Sequence, residues 1–127
     1  MKSVKIKRLR IFAFASGFLC SLGANATDGI VCSGTIEEVG LHSQNAVLLR
    51  LSSMNTRVKI CDLGSKVGST HPIPAEQCKA IYSTLLSAYS MGKTISSAYF
   101  DNVESGTSCS NFAPWELATL RWVSLAN

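Results

Sequence analysis

The chain has 127 residues, 46% of them hydrophobic, with 12 Lys and Arg against 8 Asp and Glu, a formal charge of +4. Five of the positive charges (Lys2, Lys5, Lys7, Arg8, Arg10) stand at the start, ahead of an apolar run from Ile11 to Leu22 and the small-residue stretch Ala24-Asn25-Ala26. That is the order of a secretory signal peptide, expected over residues 1–26; the remainder holds seven Lys and Arg against eight Asp and Glu, so the basicity belongs to targeting and a nucleic-acid footprint is excluded.

The apolar run is too short to serve as a transmembrane segment, so the protein is expected to be exported, to the periplasm or beyond. A lipoprotein reading through Cys20 is disfavoured by the bulk of Leu19. Residues 27–127 are expected to form one small domain with a modest core. That domain keeps four cysteines, Cys32, Cys61, Cys78 and Cys109, an even count that reads as two disulfides in an exported protein. A zinc site would bring cysteines in close C-x-x-C pairs, and these four are widely spaced.

In chain order, Ile30 to Leu41 has mixed strand character, with a bend or bulge expected at Gly34. His42-Ser43-Gln44-Asn45 is a polar turn, and Ala46 to Leu51 is an apolar strand. After the turn Ser52-Ser53-Met54-Asn55, Thr56 to Leu63 alternates, with Val58 and Ile60 on one side and Arg57 and Lys59 on the other. Short connections predict an antiparallel meander of these three strands.

Pro74 to Gly92 is the one clear helix. Cys78, Ile81, Tyr82, Leu85 and Tyr89 recur at helical spacing and predict its buried face, while Lys79, Ser83, Ser87 and Ser90 form a polar side. Pro74 suits the first turn, and Gly92 can close the helix in the left-handed conformation. A fourth strand is expected from Lys93 to Phe100, a polar loop from Asp101 to Ser110, and a last strand within Phe112 to Leu125, from Glu116.

The order β-β-β-α-β-β makes the chain mainly β with one helix (α+β), and it is the order of the OB-fold, a five-stranded Greek-key barrel closed by a helix. In that topology the start of strand one lies near the loop after strand four, which predicts Cys32–Cys109. The end of strand three lies by the helix, which predicts Cys61–Cys78.

No catalytic constellation stands out, and the protein is expected not to be an enzyme. His42 and His71 lie in polar loops; His42 with Asp62 and a serine makes a nominal hydrolase, but no Gly-x-Ser-x-Gly elbow accompanies them. Glu37 and Glu38 are adjacent on a strand, so they point to opposite faces and make no carboxylate pair. No phosphate loop, dinucleotide fingerprint or metal motif appears, so no cofactor and no metal are expected. Trp122, on the last strand, is expected in the core. Tyr99 suits either core or a sugar-binding surface.

Asp28-Gly29-Ile30-Val31-Cys32-Ser33-Gly34-Thr35-Ile36, followed by His42-Ser43-Gln44, resembles the first strand of the subtilase-cytotoxin and typhoid-toxin B subunits. Tyr89-Ser90-Met91-Gly92-Lys93-Thr94-Ile95 resembles the segment that closes their helix and enters strand four. The resemblance implies a secreted, pentameric OB-fold protein that binds sialylated glycans and has an enzymatic A subunit as a possible partner. It also implies glycan-binding roles for Asp28, Ser33 and Tyr99. The chain departs from the family's pattern by one extra residue at or near Cys32, and by Arg50 near the place of an acidic residue in strand two. The alternative expectation is a periplasmic structural or interaction module that uses the barrel without binding sugar.

Overall fold

A computed structural model describes residues 29–127. The expected signal segment and Asp28 lie outside the described residues. Five strands, β1 (Ile30–Leu41), β2 (Ala46–Leu51), β3 (Val58–Asp62), β4 (Thr94–Asp101) and β5 (Thr119–Ala126), surround one helix, α1 (Ala75–Ser90), in the chain. They form an antiparallel sheet in the order β3-β2-β1-β4-β5. The first two strands have the expected limits. β3 starts at Val58 and not Thr56, and β5 starts at Thr119 and not Glu116, because the residues before each are spent on turns and isolated contacts.

β1 is long enough to serve two neighbours. Its first half pairs with β4, from Ile30↔Phe100 to Thr35↔Thr94, and its second half with β2, from Ile36↔Leu51 to Leu41↔Val47. The pairing with β4 slips by one residue between Cys32 and Gly34, and the change of partner follows after Thr35. Gly34 has φ 133, and a Cβ on it would stand 2.2 Å from Ser52 Oγ, so only glycine lets the two chains approach there. The loop before β5 returns to the far edge of the sheet: Lys59 and Leu117 form an isolated parallel bridge, with Lys59 N donating to Glu116 O and Ala118 N to Lys59 O, both at 2.9 Å.

The core is built from Leu49, Leu51, Ile60, Ile73, Leu85, Ile95, Phe100 and Leu120, all fully buried. Strand alternation supplies most of it; α1 adds Cys78, Leu85 and Ala88. Tyr89, expected on the buried face, is 52% exposed. Both Ala88 and Tyr89 stand at helical spacing from Leu85, and the small residue is the one that fits where the helix lies against the sheet. Pro74 is the N-cap, and Gly92 closes the helix at φ 62 with Lys93 N bonded to Ala88 O. Among the described residues no helix is long and apolar enough to cross a membrane.

Both expected disulfides are present. Cys32–Cys109 ties the start of β1 to the loop between β4 and β5, and Cys61–Cys78 ties β3 to α1.

Asn102 holds the far end of β4 to the link that precedes the helix. It has φ 59; its Oδ1 accepts from Ser69 N, Ser69 Oγ and Thr70 N, and its Nδ2 donates to Thr119 Oγ1 and Thr70 O. Asparagine tolerates the left-handed conformation and supplies both kinds of polar atom. Asn102→Ala is expected to lower stability by about 2–3 kcal/mol, since several bonds of roughly 1 kcal/mol are lost together. Urea unfolding followed by circular dichroism checks this.

Candidate functional site

The sheet's outer face over β1, β4 and β5 carries an aromatic patch whose members the registers bring together. Tyr99 stands opposite Val31 on one side and Trp122 on the other. Its ring stacks on Trp122, centroids 5.9 Å apart at an interplanar angle of 22°. Trp122 is thus not a core residue: it is 44% exposed, and Val31 is 51% exposed. Leu120 and Val123 supply the inward bulk that its position on β5 suggested for it. Gly29 leaves the space Tyr99 occupies, because a Cβ there would come within 2.3 Å of Tyr99 Cε1.

A bulge completes the patch. Tyr99 pairs with Trp122 but Phe100 pairs with Leu120, so Arg121 is an extra residue of β5 without a partner on β4. In a regular strand Arg121 and Trp122 would point to opposite faces. The bulge re-aims the chain, and both reach Tyr99: the Arg121 guanidinium carbon lies 4.6 Å from the Tyr99 ring centroid. Asp101, 1% exposed, holds Arg121 in a two-pronged pair, Nε to Oδ2 at 2.6 Å and Nη2 to Oδ1 at 2.7 Å. Those hydrogen bonds raise the Arg121 pKa, partial burial opposes them, and the charges of Asp101 and Tyr99 add to the rise. Arg121 therefore keeps its charge at any physiological pH, with its orientation set and its remaining N–H donors uncommitted among the described residues.

Ser33 is exposed on β1, on the same side of the strand as Val31. It shares the face with Tyr99, and neither hydroxyl has a hydrogen-bond partner among the described residues. Asp28 lies outside the described residues. Arg50 pairs with Glu37, and Arg57 with Glu38 at 3.2 Å, so the two adjacent glutamates do serve different partners. The histidines are far apart in role. His42 Nδ1 accepts from Gln44 N at 3.2 Å, and His71 Nδ1 lies 3.8 Å from Asp101 Oδ2. Neither is aligned with a serine nucleophile. Among the described residues no cluster of His, Cys, Asp and Glu is arranged to hold a metal ion.

Arg121, Asp101 and Gly29 are functional candidates that the sequence alone did not single out. Arg121 and Asp101 carry no motif, since twenty residues separate the members of the pair in the chain. The signal at Gly29 is its place beside Asp28 in the first-strand stretch. Comparison of the chain with protein-family models, with curated proteins and with solved structures finds no match to any of them.

Proposed function

We propose that this protein is an exported, non-catalytic glycan-binding protein similar to the toxin B subunits, with the Ser33–Tyr99–Trp122–Arg121 face as its site. The observation that carries the reading is half-buried Tyr99 stacked on exposed Trp122, beside a guanidinium whose direction is preset by buried Asp101. An aromatic platform takes the C–H face of a sugar, hydroxyls exchange hydrogen bonds with its hydroxyls, and a preset guanidinium favours a sugar carboxylate. That combination suits a sialylated glycan.

The OB-fold reading is supported by the β3-β2-β1-β4-β5 order and by the parallel Lys59↔Leu117 bridge between the two sheet edges, which is where such a barrel closes. Two disulfides fit export to an oxidising compartment. A pentamer would use the helix, whose Leu86, Tyr89 and Met91 are exposed beside the polar side of Lys79, Ser83, Ser87 and Ser90. An enzymatic A subunit is a further partner in this reading. The alternative, a structural or interaction module without sugar, draws on the apolar exposure of Val31 and Trp122 on the same outer face.

Glycan-array profiling of the mature protein is expected to return sialylated glycans. Ser33→Ala should weaken their binding about tenfold, the effect of one hydrogen bond to a charged group. An array without sialylated binders, or unchanged binding by the variant, overturns the reading. Native mass spectrometry separates the assemblies: a pentamer supports the toxin-subunit reading and a monomer the module.

A further inference from the structure

A second concave site lies elsewhere on the molecule and shares no residue with the Tyr99 face. It encloses about 400 Å³ between the turn after β1 and the loop before β5, and its wall includes His42, Gln44, Lys59, Asp62, Trp115 and Leu117. That volume falls in the range of small-ligand pockets, roughly 300–1,000 Å³. Cys61, held by its disulfide to Cys78, forms part of the wall and makes it rigid.

Trp115 is the feature that sets this pocket apart. It is 47% exposed, and its backbone takes φ 62, a conformation that is an outlier for a bulky side chain. The neighbouring residue holds it there. Glu116 N donates to Ala113 O, Glu116 Oε2 accepts from Ala113 N at 3.0 Å, and Glu116 O accepts from Lys59 N at 2.9 Å. Such a hold on a strained residue places an indole at the mouth of a cavity when the hydrophobic effect would favour burying it. His42 meets the indole edge-on at 5.4 Å, and the Arg57 guanidinium lies 5.8 Å from its centroid.

The polar groups around the indole are unspent. His42 Nδ1 accepts from Gln44 N, so the neutral ring carries its proton on Nε2 as a donor. Asp62 Oδ1 accepts from Gly64 N and Ser65 N, which orients the carboxylate and leaves Oδ2 as an acceptor. Lys59 and Asp62 form no salt bridge, and the Gln44 side chain makes no hydrogen bond, among the described residues. Donors and acceptors are therefore mixed, and the wall carries one positive and one negative charge. An anion would find Lys59 offset by Asp62, and a cation the reverse. A ring with one apolar face and many hydroxyls satisfies all of these groups together.

We propose that this pocket is a second ligand site, for a neutral pyranose stacked on Trp115 and hydrogen-bonded to Asp62, Lys59, Gln44 and His42. It stands whether or not the Tyr99 face binds a glycan.

The protein has two tryptophans, Trp115 in the pocket and Trp122 on the sheet face, so their two indole N–H resonances report the two sites separately. Titration of the mature protein with methyl galactoside, methyl mannoside, N-acetylglucosamine and, for comparison, N-acetylneuraminic acid is followed in an amide- and indole-resolved nitrogen–proton correlation spectrum. A neutral pyranose is expected to move the Trp115 indole and the amides of His42–Asn45 saturably, leaving Trp122 in place. Trp115→Ala and Asp62→Asn should each weaken that binding at least tenfold, with Asp62→Asn keeping the shape and the turn acceptor. The proposal is overturned if none of the neutral sugars gives saturable shifts at the pocket. It is equally overturned if only N-acetylneuraminic acid does so, or if both variants bind as the parent does. Shifts confined to Trp122 would support the sheet-face reading while refuting this one.

Discussion

Replacing Cys32 and Cys109 by serine is expected to destabilise the protein by about 4–5 kcal/mol, the chain-entropy value for closing a loop of this length. The bond spans 77 residues, against 17 for Cys61–Cys78, whose loss should cost about 3 kcal/mol on the same scale. The difference has a structural counterpart. Cys109 lies in the long loop between β4 and β5, which has few anchors of its own: Asn55 bonds the Phe112 backbone at both N and O, Asn55 N donates to Cys109 O, and Glu116 O takes Lys59 N. Small domains are stable by only about 5–15 kcal/mol, so removing both bonds should leave the chain largely unfolded. Urea unfolding of the two double-serine variants checks the order. Equal losses, or less than about 1 kcal/mol for the Cys32–Cys109 pair, would count against this account.

Phe100→Ala is expected to cost about 3–5 kcal/mol, the range for removing a buried phenylalanine. Its side chain is fully buried, paired with Ile30 on β1 and Leu120 on β5, and its ring meets Phe112 edge-on at 5.9 Å. No neighbour is free to fill the space, since the contacts come from three elements already held by hydrogen bonds or a disulfide. Tyr99→Ala, one residue away, should cost much less, because it empties the outer face and leaves no internal cavity. Parallel denaturation curves of the two variants read the contrast directly. Similar losses would mean that Tyr99 belongs to the core and would remove it from the candidate site.

Much of the framework is legible from local patterns. The limits of β1 and β2 follow from turn residues around apolar strands, and the helix ends where Pro74 and Gly92 place them. The disulfide pairing followed from element order, because topology brings those segments together whatever the side chains in between. The errors have physical causes. Helical spacing points Tyr89 inward because it cannot choose between residues three and four positions from Leu85. The bulk of Trp122 suggests the core, but the size of a side chain does not say which side of a strand it takes.

The candidate face divides in the same way. Ser33 and Tyr99 are visible in the chain as residue types on strands expected to pair, and those strands do pair, with Val31 opposite Tyr99. Arg121 was not visible. Its place depends on a single-residue slip between β4 and β5 and on a buried acid twenty positions away, and neither leaves a periodic trace. The pocket at Trp115 depends likewise on the loop before β5 returning to β3. Composition, periodicity and turn chemistry act over a few residues, so the sequence by itself determined the elements, their order and the cysteine pairing that order implies. Register, bulges and the return of a long loop are settled by packing among distant segments, and only the tertiary structure decided which aromatics face solvent and which charges stand beside them.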